Sequence, residues 1–319
     1  MSPREEIDLT RVRTIPVAER PTKVCIDQFA PAPNPEAAQG AFDRFLPDIL
    51  SGRALRDLIS SWTEAVRQRR TALAMLGGHV IKTGVQRPLL SLLDRGAFTA
   101  LAMNGAAAIH DFEIAMWGNT SEPVEETLGS GRFGMVEETP TLMNRAVNEG
   151  VKRGLGMGEA LGRHLLDVRA PNAGLSLLAR AAEHSIPCTV HVAIGTDTLH
   201  QHASFDGAMT GLGTHRDFKI LAAAMRGLMG GIVLNFGSAV MMPEVFLKAL
   251  STVRNLGHET GAFTAANFDQ IRHYRPEKNI LERPLRDGGQ GHSFIGPHEL
   301  WIPLLATLFL ARMGEESPR

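Results

Sequence analysis

The chain has 319 residues, 44% of them hydrophobic, which suffices for a large core, and its formal net charge of −1 offers no global basic field to nucleic acid or an anionic membrane. Its two cysteines, Cys25 and Cys188, are too few for a disulfide framework or a cysteine-based zinc site. There is no apolar signal core after Met1 and no apolar run of about 18 residues, so the expectation is a cytoplasmic protein with no membrane partner.

Pro16, Pro21, Pro31, Pro33 and Pro35 predict an extended arm over residues 1–40, ahead of a single α/β domain over 41–319. Apolar residues spaced by three and four from Phe42 and Phe45 through Leu55, Leu58, Ile59 and Trp62 predict one or two packing helices. The pattern then alternates. Strands are expected at Thr71–Leu76 and Phe98–Met103, each followed by a helix, and Asn119 to Asn148 reads as mostly loop. Helices follow at Met157–Val168 and Ala173–His184, and strands at Pro187–Ile194, Gly231–Phe236 and Gly261–Thr264. Helices near Asp206–Gly227 and Pro243–Leu256 separate these strands, and a helix from Pro297 to Met313 closes the chain. Gly288 to Gly291 reads as a flexible turn, because it lacks the lysine and hydroxyl residue of a phosphate loop. Alternation of this kind predicts a doubly wound, mostly parallel, Rossmann-type sheet.

In such a sheet ligands gather at the carboxyl edge. His79, Asn104, Gly105, Ala106, Asp197, Gly237, Ser238, Thr264 and Ala265 are expected there. The small residues Asn104 to Ala108 precede a helix start, where unpaired N–H groups attract an anion. A second constellation comprises His110, Asp111, Asp197, His200 and His202, expected to converge at one crevice as acid/base groups. Histidines two apart on an extended segment face the same way, so His200 and His202 are also candidate ligands for a divalent metal. Structural hydrogen bonding is the third reading of these histidines, and His191, inside an apolar strand, is read as a core residue.

Gly78 to Val85, the small-residue turn with His110-Asp111-Phe112, Gly195-Thr196-Asp197, Gly231 to Val240, Arg275-Pro276 and Glu299 to Leu305 together resemble the deoxyhypusine synthase family, over roughly residues 70–315. The resemblance implies the family's α/β fold, NAD held by the strand-end residues, a carboxylate such as Asp197 at a ribose hydroxyl, and a homotetramer of tight dimers. The family's imine-forming lysine is matched by Pro284, and its polyamine-holding acids by His110, His202 and Lys278. A polyamine substrate and a lysine imine are therefore not expected. Arg272, His273, Arg275, Lys278, Arg283 and Arg286 form a cationic loop suited to an anionic substrate or the phosphates of a cofactor, or else a solvated loop partly paired with Glu277, Glu282 and Asp287. The leading expectation is an enzyme that keeps an NAD crevice and acts through the histidine and aspartate groups. A metal-dependent enzyme and a non-catalytic oligomeric binding protein are the alternatives.

Overall fold

The computed structural model describes residues 9–29, 31–34 and 46–315. The N-terminal segment lies on its own chain. Ile15 bridges to Val136, and strand β1 (Val24–Cys25) pairs antiparallel with β4 (Asn119–Thr120). Phe42 and Phe45 fall outside the described residues, and the first helix is α1 (Leu50–Arg67), which buries Leu55, Leu58, Ile59 and Trp62. After β2 (Ala72–Leu76) come α2 (Gln86–Asp94), β3 (Ala100–Asn104), α3 (Gly105–Trp117) and the small strand β4. Then follow α4 (Glu138–Lys152), α5 (Met157–Asp167), α6 (Leu177–Glu183), β5 (Cys188–His191), α7 (Gly207–Ala224) and β6 (Ile232–Phe236). The chain continues through α8 (Met241–Asn255), β7 (Phe263–Asp269), β8 (Gly289–Ile295) and α9 (His298–Glu315).

The main sheet has six parallel strands in the order β5-β3-β2-β6-β7-β8. Side chains alternate between two cores. Ala72, Ala74, Leu76, Leu234 and Phe236 face one cluster with residues of α1, α2, α3 and α9. Leu73, Met75, Val233 and Ala265 face the other, with residues of α7 and α8. This is a doubly wound α/β fold. Successive parallel strands run outward from β2 on one side and outward from β6 on the other, so the strand order reverses between these two. In open sheets of this kind such a reversal, at the carboxyl ends of the strands, is where ligands bind.

Three local expectations differ from the fold. The stretch read as loop contains α4, whose Pro140 sits in the first turn, where a missing N–H costs nothing. β7 runs on to Asp269, so Thr264 and Ala265 stand at the amino end of that strand, away from the crevice. Gly289 to Gly291 are not a turn but the start of edge strand β8, in register with Phe263 to Ala265.

Candidate active site

The carboxyl edge is built from strand ends that turn directly into helices. At the reversal, Gly77 and Gly237 bring the β2 and β6 loops together, and a Cβ on Gly77 would stand 2.1 Å from the Gly237 carbonyl oxygen. Gly237 also adopts φ +61°, and a Cβ there would lie 2.6 Å from His298 Nε2. Ser238 Oγ accepts the Met242 amide at 3.1 Å and so caps the start of α8. Next along the edge, Asn104 caps α3, its side-chain oxygen accepting the Ala107 amide at 2.9 Å.

A cavity of about 240 Å³ opens beside α3, lined by Arg20, Lys82, Ala106, His110, Glu113, Glu122 and Asp197 among others. Its imidazole is set by a relay. Thr120 Oγ1 donates to Glu113, so His110 Nδ1 donates to Thr120 Oγ1 at 2.7 Å and Nε2 is left as the unprotonated nitrogen. Burial lowers the His110 pKa to about 4, which keeps the ring neutral. Glu113 in turn accepts from Thr139 and pairs with Arg20 of the N-terminal segment.

Asp197 follows β5 and buries its carboxyl against α3. A Cβ on Gly105 would meet Asp197 Oδ2 at 2.0 Å, so glycine at this position admits that carboxylate. The approach to the Asn104–Ala106 turn assigned from sequence to an external anion is thus taken by Asp197 itself. Burial raises the Asp197 pKa to about 6.

Other sequence candidates are placed differently. Asp111 is fully buried and points away from the cavity, accepting from Ser176 Oγ and from the Leu177 and Leu178 amides at 2.8 and 3.1 Å. It holds the start of α6. His200 and His202 do not face the same way, because Thr198–Gln201 is a 3-10 turn and not an extended segment. His200 Nδ1 accepts the Gly195 and Asp197 amides at 3.0 and 3.2 Å, whereas His202 Nε2 donates to the Gly134 carbonyl at 2.8 Å. Among the described residues no group of three or more histidine, cysteine or acidic side chains is arranged to hold a metal ion. His191 is a buried core histidine bonded to Thr189.

A second polar group lies at the reversal point. His79 Nε2 accepts from the Gln270 amide, and its ring lies 5.8 Å from that of His298. His298 and Asp269 form the buried floor, where among the described residues neither His298 nitrogen nor Asp269 Oδ2 has a hydrogen-bond partner, although His273 Nε2 stands 3.8 Å from Asp269 Oδ2. Buried polar atoms of this kind are costly without a partner, so the floor suits a polar ligand lying across the crevice. Lys82 links the two groups, its charge acting on both His79 and His110.

Sequence reasoning missed Arg20, Lys82, Glu113, Thr120, Glu122, Asp269 and His298. Glu113 was within reach, since it lies three residues after His110 on one helix face. Arg20 carries no local signal, because only the folded N-terminal segment brings it to α3.

No protein-family model matches the sequence, and no curated protein matches it either. Among solved structures, AgrE in its ternary complex with ornithine and NAD+ is similar at TM-score 0.50 and 13% identity, over 83% of this chain and 33% of that one. Unliganded AgrE is similar at TM-score 0.50 and 15% identity, over 82% and 32%. A candidate deoxyhypusine synthase from Entamoeba histolytica is similar at TM-score 0.45 and 8% identity, over 80% and 87%. The chain spans about a third of the length of the AgrE chains it matches. At these identities the likeness is one of fold, a distant relationship among Rossmann-like α/β proteins.

Proposed function

We propose that this protein is an enzyme of the carboxyl-edge crevice, in which an adenine dinucleotide such as NAD lies across the β2/β6 reversal and a small substrate occupies the His110 cavity. One observation carries the reading: a cavity lined by a neutral, oriented histidine and a near-neutral carboxyl adjoins a strand reversal whose floor holds unsatisfied polar atoms. The fold shared with AgrE, described in complex with NAD+, supports the choice of cofactor class. Asp269 and His298 would hold the cofactor, beside the close contact of Gly77 with Gly237 that joins the two strand ends. When bound, NAD supplies hydride acceptance.

The chain's own groups supply the rest. Asp197, with its pKa near 6, holds or releases a proton close to neutrality, as a general acid or base requires. His110 presents the lone pair of Nε2 to a substrate hydroxyl or amine, while Thr120 and Glu113 fix its tautomer. Pro284 lies in a 3-10 turn, and half-buried Lys278 is paired with Glu282 and does not line the cavity, so neither position offers a free amine to the substrate. The family resemblance implies a tetramer, and exposed Ile295, Leu300 and Leu304 support self-association.

Calorimetry with NAD+ and NADP+ tests the cofactor half. Binding of one of them, weakened about tenfold or more by Asp269→Asn, is the expected result. No heat from either at millimolar ligand contradicts it.

A further inference from the structure

The ionisable groups lining the His110 cavity carry both signs, Arg20 and Lys82 against Glu113, Glu122 and Asp197. Arg20 is 6% exposed and pairs with Glu113, yet its Nε and second terminal nitrogen have no hydrogen-bond partner among the described residues. Lys82 lines the same cavity and forms no ion pair among the described residues. Besides Glu113, which is paired with Arg20, two carboxylates line it. Asp197 has His200 Nε2 at 3.9 Å, and Glu122 accepts the Gly134 amide at 3.1 Å and feels the charge of Arg20. Between them stand neutral His110 and the apolar side chains of Ile109, Val124 and Phe133.

With Arg20 already paired to Glu113, a singly charged ligand matches either the cationic side or Glu122 and Asp197, but not both. An anion satisfies Lys82 and Arg20 and is repelled by Glu122 and Asp197, and a cation does the reverse. A molecule bearing both a carboxylate and an ammonium satisfies both sets at once, and buried charges are tolerated when paired in this way. The volume of about 240 Å³ falls below the roughly 300–1,000 Å³ of drug-sized sites, so the molecule is small.

We infer that the substrate is a small zwitterion of the amino-acid type, its carboxylate held by Lys82 and the spare nitrogens of Arg20, and its ammonium by Glu122 and Asp197. This rests on the cavity being the substrate site, and it replaces the purely anionic substrate that the cationic loop suggests. In the structure that loop spends Arg275 on Glu244 and Lys278 on Glu282.

The test uses three matched probes: L-norvaline, L-norvalinamide as the cation, and N-acetyl-L-norvaline as the anion. Binding is measured by calorimetry on the full chain, with and without NAD+. Norvaline should bind about tenfold or more tightly than either singly charged probe. Lys82→Met should abolish the advantage of norvaline over the amide, and Glu122→Gln its advantage over the N-acetyl compound. Thermal unfolding of each variant serves as the folding control. Equal or tighter binding of the N-acetyl compound or the amide overturns the inference, and so does failure of all three to bind. NAD+ binding in the same titrations reports separately on the cofactor reading, so the two fail independently.

Discussion

Asp217 reports most directly on what burial does to a carboxyl in this chain. It is fully buried in α7, and it accepts the Gly158 and Val190 amides at 3.0 and 2.8 Å. Burial outweighs these bonds and raises its pKa from 3.8 to about 7. Between those values the folded chain holds a proton that the unfolded chain has released, so its contribution to stability falls as the pH rises. Asp217→Asn removes that proton. Chemical denaturation from pH 4 to pH 7 should show wild type losing stability relative to the variant, by at most about 1.4 kcal/mol per pH unit. His110 and His191, lowered to about 4, act in the opposite sense and lose stability as the pH falls below 6.5. The absence of an amine at Pro284 gives a second expectation: borohydride reduction with spermidine and NAD+ should trap no lysine adduct, detectable by intact mass. At this scale the sequence singled out His110 and Asp197, and both line the same cavity. It hid Asp111's role, because the residues that bond it lie more than sixty positions further along the chain.

At the scale of elements, Asp111 shows how a side chain that looks catalytic works as a joint. It ties α3 to the start of α6 through the Ser176 hydroxyl and two amides. Asp111→Ala leaves these donors buried without partners and should cost about 2–4 kcal/mol in urea denaturation. NAD+ affinity of the folded fraction should stay unchanged. The long periodic helices and the apolar strands β2, β3 and β6 were legible because their side-chain spacing is local. α4 was not, since Thr139 and Pro140 at its start and Gly150 near its end read as loop residues. Its buried stripe of Met143, Ala146, Val147 and Val151 has helical spacing nonetheless. β8 was illegible for a different reason: Gly289, Gln290 and Gly291 have low strand propensity, and the edge position is held by pairing with β7.

For the whole molecule, alternating strands and helices announced a parallel sheet, but strand order is a matter of long-range pairing that the sequence does not print. The order places the reversal between β2 and β6, and with it the floor of Asp269 and His298, which no motif marked. It also places the His110 cavity beside that reversal rather than on it, with Asp197 filling the approach to Gly105. The central claim is therefore spatial, with cofactor at the reversal and substrate beside α3. A crystal structure of the protein grown with NAD+ tests it most directly. The dinucleotide is expected at the carboxyl ends of β2 and β6, in contact with Asp269 and His298, with the His110 cavity left open. NAD+ against the amino ends of the strands, or in the His110 cavity with its phosphates on Gly105, would contradict it.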